Sequence, residues 1–356
     1  MKQKIALLLT LALIAAAFAG CAGTPVVYYS DCTCPTGAHT AAPGETIPEE
    51  TFAAEGSLKT GLAIVTGISG SENAAKADYD VTLAAVLLDE NGVIVDCVID
   101  SIGTTVAFDA AGTITSDLTA PIQTKNELGD AYGMVAYGGA VAEWYQQADA
   151  LAGYAVGKTV EELRNGAIDE TGRAPAGSDL ATTATIYLGG YVSAIEAAAA
   201  NAKHLGAQAG DELKLAATAS VGGSKSADAE NEGCAQLDVT VTALTVSGET
   251  ITSCVIDAVQ AKVNFDAAGT ITSDLTAPVQ TKNQLGDGYG MVAWGGAIAE
   301  WDAQAASFAA YITGKTAAEV AGIAVDEGTK PTGADLVSSV TIAIGGFQAL
   351  IEKAVQ

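Results

Sequence analysis

Two stretches of the chain carry side chains able to hold a ligand. "TKNELGDAYGM", residues 124 to 134, returns as "TKNQLGDGYGM" at 281 to 291. Lys125 and Lys282 are scarce cations in a chain of formal net charge −26, and each follows a threonine, Thr124 or Thr281, whose hydroxyl can help to hold an anion. Tyr132 and Met134, with Tyr289 and Met291, offer flat or polarisable surface to a ring, as do Trp144 and Trp301 farther on. For both tryptophans, plain core packing is the favoured alternative. Between 109–136 and 266–293 the copies differ at three positions of 28, Ile122/Val279, Glu127/Gln284 and Ala131/Gly288, whereas the segments before them share little beyond pattern. A duplicated binding site shows such identity. So do recent gene conversion, a demanding turn built on Gly129 and Gly133, and a contact between the copies.

Familiar catalytic groupings are missing. The two histidines, His39 and His204, fall outside both copies, which argues against Ser-His or Cys-His nucleophiles and against histidine-bound metal. No metal site is expected. Carboxylates are abundant, but no pair stands out as an acid and base. "GYAVGKT" is one residue short of a phosphate loop, and the second copy lacks its first glycine, so "GKT" reads as a helix stop followed by a helix start. The chain is read as no enzyme. Its negative charge also excludes nucleic acid and flat contact with anionic lipid, since neither phosphate surface would be neutralised.

The elements that must position these residues come in two copies. Trp144 matches Trp301, Cys97 matches Cys254 and Tyr132 matches Tyr289 at one offset, and the copies run from 57 to 203 and from 211 to 356, joined by a linker at 204–210. Each copy reads as strands first: "GLAIVTGIS", then a hairpin in "DVTLAAVLLDENGVIVDCVID" or "DVTVTALTVSGETITSCVID", then a second tight hairpin around "DAAG". Alternation through Val81, Leu83, Ala85 and Leu87 marks one buried face; Thr240 and Thr242 suggest a wetter outer face in the second copy. A helix follows. Val141, Trp144, Ala148, Leu151 and Ala155 share one stripe, as do Ile298, Trp301, Ala305, Phe308 and Ile312. Gly157 and Gly314 suit its end, and capping boxes from Thr159 to Glu162 and from Thr316 to Glu319 open a short second helix. The last helix carries Leu188, Tyr191 and Ile195, or Ile344, Phe347 and Ile351. The expected class is α+β: two tandem copies of an antiparallel sheet of four or five strands, covered by about three helices.

The N-terminus lies apart. "MKQK" and the apolar run "IALLLTLALIAAAFAG" read as a secretory signal, and "AFAGC" resembles the bacterial lipoprotein signal, in which the cysteine, here Cys21, is acylated. Residues 1–21 are then a signal, and 22–56, holding four of the eight prolines, form a tether. The implied location is the extracytoplasmic face of the membrane, held by acyl chains at Cys21. Cys32 and Cys34 are too close for ordinary disulfide geometry; Cys97, Cys234 and Cys254 are read as free thiols.

The order of elements in each copy resembles the FMN-binding domain of bacterial surface lipoproteins and of flavin-carrying redox subunits. "DENGVI" is similar to that family's hairpin, "TKNELGDAYGM" to its Lys, Tyr and Met stretch, and "DLATTATIYLGGYVSAIEAA" or "DLVSSVTIAIGGFQALIEKA" to its SGATxS-type segment. Thr185 and Thr341 stand where that family's flavin-bearing threonine would be. The preceding glycine is Thr183 or Ser339, however, and the following hydroxyl is Tyr187 or Ala343. The resemblance therefore implies FMN, or a related anionic ring, held reversibly, with electron carriage outside the membrane as the activity. A structural or adhesive surface protein that has kept the fold and lost the ligand is the alternative, and the departures at the threonine segment favour it.

Overall fold

The computed structural model describes residues 56–71 and 75–356; the expected signal, Cys21 and all but the last residue of the tether lie outside the described residues. Strands β1 (Ser57–Ser71), β2 (Lys76–Leu88) and β3 (Ile94–Ala107) open the first copy. They are followed by helices α1 (Lys125–Leu128), α2 (Met134–Gly138), α3 (Trp144–Ala155), α4 (Val160–Ala167) and α5 (Gly189–Ala200). Strand β4 (Lys203–Gln208) leads into the second copy, β5 (Glu212–Ser220), β6 (Gly233–Ser247) and β7 (Thr250–Phe265). Its helices are α6 (Lys282–Leu285), α7 (Met291–Gly295), α8 (Trp301–Ile312), α9 (Ala317–Ala321), α10 (Ala334–Val337) and α11 (Gly345–Val355). The class is α+β, with antiparallel sheets in the orders β3-β2-β1-β4 and β5-β6-β7.

The two sheets pack face to face, and each carries its helices on the other side. In β2, Leu83, Ala85 and Leu87 point into a core shared with Val239, Val241 and Ala243 of β6. Ala84, Val86 and Leu88, one residue out of phase, meet Trp144, Leu151 and Ile195 of the helical layer. A strand buried on both faces has no need to alternate, which is why "LAAVLL" is unbroken by polar residues. In the second copy Trp301, Phe308 and Ile351 cover Leu244, Ile251 and Ile256 in the same way. The order is helices, sheet, sheet, helices. Phe108 and its counterpart Phe265 stack on each other, centroids 3.9 Å apart and planes within 4° of parallel, where the copies meet about an approximate two-fold relation.

Several local expectations change. Val141 and Ile298 precede their helices, which begin at Trp144 and Trp301, and lie exposed, because the chain spends the intervening residues on a loop closed by Glu143 or Glu300. The "DAAG" segments are tight turns with one bridge each, Phe108 to Ile114 and Phe265 to Ile271, not second strand pairs. Thr242 is fully buried: its hydroxyl donates to the Val255 carbonyl at 3.1 Å, so it is no wet outer position. Most of the segment read as a linker forms β4, which pairs with β1.

Candidate functional site

Each repeated loop is built from a capped helical turn. Thr124 accepts from the Glu127 amide at 3.2 Å, and Glu127 accepts from the Thr124 amide at 3.0 Å, a capping box that Thr281 and Gln284 repeat. Both threonines are buried. Their hydroxyls serve the fold, as do the side chains two residues on. Asn126 donates its side-chain amide to the Ile99 carbonyl at 2.9 Å and its backbone amide to Asp100 at 3.1 Å; Asn283 makes the same pair of bonds to Ile256 and Asp257. Burial pushes the Asp100 carboxyl above the usual carboxylate range, against the pull of the Thr124 hydroxyl and the Asn126 and Ser101 amides. Asp257 is raised by burial in the same way, with the Thr281 hydroxyl and the Lys282 charge opposing.

The lysines lie between aromatic faces. Lys125 Nζ is 5.3 Å from the Tyr132 centroid and 5.1 Å from that of Trp144; Lys282 Nζ is 4.8 Å from both Tyr289 and Trp301. These are cation–π distances, so each ammonium group is held by two aromatic rings. The indoles themselves are core. Trp144 is 2% exposed and Trp301 6%, which bears out packing as their main role. Trp144 Nε1 donates to the Tyr191 hydroxyl at 2.9 Å, whereas Trp301 meets Phe347 edge-on.

The remaining expected residues are likewise engaged. Met134 and Val135 donate their amides to the two carboxylate oxygens of buried Glu143, at 2.8 and 2.9 Å; Met291 and Val292 do the same to Glu300, at 2.7 and 2.9 Å. Gly133 and Gly290 turn the chain into these clamps with φ of 78° and 83°, and a Cβ there would fall 2.5 Å from Tyr137 or 2.3 Å from Trp294. Those two rings lie against the glycines and are otherwise open to solvent. Thr185 and Thr341 give amide and hydroxyl to one oxygen of Gln147 or Gln304, at 2.7 and 3.3 Å and at 2.8 and 3.2 Å. The structure thus places Thr185 beside α3 and Thr341 beside α8, each tied to the helix that carries the tryptophan.

Glu143, Gln147, Asp100, Asn126 and their counterparts were not singled out in the sequence. "EWYQQ" and "EWDAQ" keep Glu, Trp and Gln at one spacing in both copies, and that retention was the available signal. So was T-x-x-E at Thr124, the same box read correctly at Thr159.

The loops also join the copies. Glu127 pairs with Lys353 of α11, in the opposite copy, and Gln284 lies in a recess with Ala200 and Asn201 at the end of α5. Gln284 replaces Glu127 where Ala197 replaces Lys353, so the one charge change in the repeated stretch follows its partner across the interface. Ahead of the loop, the Ala227 amide donates to the Gly112 carbonyl at 2.8 Å and the Ile114 amide to Ser226 at 3.0 Å. Comparison with family models, with curated proteins and with solved structures returns no match.

Proposed function

We propose that the chain is a lipid-anchored extracytoplasmic surface protein without catalytic activity, in which the repeated loops have become parts of the scaffold. The observation that carries this reading is closure of the lysine trio: each ammonium group is spent on two ring faces, and each neighbouring indole is sealed in the core. The ammonium group lying between those faces, and the Thr185 and Thr341 hydroxyls turned to Gln147 and Gln304, support this reading over a bound isoalloxazine. The exposed rings of Tyr137 and Trp294 supply the kind of surface an adhesive role uses.

A second reading is favoured by one observation. Among the described residues Lys125 and Lys282 have no carboxylate within ion-pair distance and stay half-exposed, which leaves their outer side free for an anion such as a phosphate group. One experiment separates the two. The full chain is purified from a flavin-replete host, its visible absorbance recorded, and FMN added to it and to Lys125→Ala and Lys282→Ala. The scaffold reading expects a colourless protein whose variants each lose about 1 to 2 kcal/mol of stability, two cation–π contacts at about 0.5 to 1 each, with or without FMN. Saturable FMN binding lost in the variants overturns it in favour of the second.

A further inference from the structure

Among the described residues strand β4 has no counterpart in the second copy, and a cleft opens beside it. The strand adds a fourth member to one sheet, beyond β1, so that sheet overhangs β7, the edge strand of the other. At Gly206 the overhang touches β7: a Cβ there would fall 2.3 Å from the Thr252 carbonyl oxygen. Toward Lys203 a cleft of about 470 Å³ runs between β4, β7 and α8. A second recess of about 280 Å³ shares Lys203, Leu205, Val255 and Asn283 with it and leads to buried Asp257. This volume and this position between two packed units are those of small-molecule sites.

The walls differ in chemistry. Leu205 and Val255 are apolar, and α8 offers Ala306 and Ala310 where α3 of the first copy has Asp149 and Gly153. Lys203 stands on the β4 wall with no ion pair among the described residues, and Asp302 stands on the α8 wall opposite, where the first copy has Tyr145. Lys203, with His204 beside it, thus lines the β4 wall and Asp302 the α8 wall, with an apolar floor between them. A ligand carrying a single charge would satisfy one wall and meet an unmatched charge at the other, within a chain of net charge −26 that already disfavours simple anions. We propose that this cleft binds a small zwitterion with an apolar body, the class of an apolar amino acid. Lys203 receives its carboxylate, Asp302 its ammonium group, and the alanine face of α8 its side chain.

The test is calorimetric titration of the full chain in detergent with L-phenylalanine and L-leucine, alongside phenylacetate and phenethylamine, which each lack one charge. The expected result is one site per chain, with the single-charge analogues weaker by about tenfold or more. Ala306→Trp fills the cleft and abolishes binding. Exposed Lys203→Ala, remote from the core, lowers the affinity for phenylalanine to that for phenethylamine and leaves phenethylamine unchanged. No saturation by either amino acid at millimolar concentration overturns the proposal; so does binding indifferent to Lys203→Ala, whatever the folding of the Ala306→Trp variant.

Discussion

Substitution of Gly269 by alanine isolates what the meeting of the two "DAAG" turns contributes. Gly269 has φ of 72° and donates its amide to the Asp266 carbonyl at 3.0 Å. An added Cβ would lie 2.4 Å from the Asp109 carbonyl oxygen of the other copy, 3.3 Å from its carbon and 3.4 Å from the Ala110 Cα. All three are backbone atoms, so no side chain can swing away. The left-handed conformation costs an alanine about 1 to 2 kcal/mol, and forcing a methyl group into a filled interface adds about 1 to 3 kcal/mol. Gly92 supplies the matched control: the same Asp-x-x-Gly turn, φ of 76°, the amide bonded to Asp89, and no atom within 4 Å of its Cβ. Gly92→Ala should therefore cost only the conformational part, about 1 to 2 kcal/mol, and Gly269→Ala about 2 to 5 kcal/mol. The measurement is the urea midpoint of each variant at a common slope. Equal midpoints for the two would mean that the copies do not press on each other there, and the account of why residues 109–118 recur at 266–275 would fall.

Two further outcomes follow from the same geometry. Glu127→Gln keeps the capping box, as Gln284 shows, and removes only the charge facing Lys353, so a double-mutant cycle with Lys353→Ala should give a coupling of about 0.5 kcal/mol that fades in about 1 M salt; additive single effects would contradict the pair. Asp100 and Asp257 are raised by burial, so the folded state holds their protons above the pH at which the unfolded chain, near 3.9, releases them. Their contribution is therefore fully present at acid pH and is lost as pH rises through the folded values. Replacing both with Asn should flatten the loss of stability that urea titrations record on going up from about pH 4, and an unchanged slope would show the carboxyls to be better solvated than their burial indicates.

Much of the scaffold was legible because its signals are local. The capping boxes at Thr159 and Thr316, the apolar stripe from Trp144 to Ala155 and the last helices need only a few neighbouring residues to be recognised, and all stand as read. The shared core was not legible. Alternation in β2 identifies one buried face, but nothing in the alternation says that the other copy rather than a helix covers it, and the apolar residues between were the overlooked sign of a second. At the loops, lysine beside threonine suggested an anion. The threonines are N-caps instead, and the lysines reach rings that the sequence placed 7 and 19 residues away without indicating that they converge.

Identity between the copies also has a structural source in the contacts between them. At the "DAAG" turns the same contacts occur on both sides of the approximate two-fold relation and constrain the residue types there: Phe108 against Phe265, Gly112 against the Asp266 carbonyl, Gly269 against that of Asp109. A pocket arises where that relation fails. The chain returns from α5 to start the second copy as β4, which pairs with β1; among the described residues no strand is added in the same way to the sheet of β5, β6 and β7. Facing β4, α8 carries Asp302 and Ala306 where α3 carries Tyr145 and Asp149. These replacements lie on the wall that β4 confronts, as expected if the unpaired surface, rather than the duplicated one, is free to acquire a ligand.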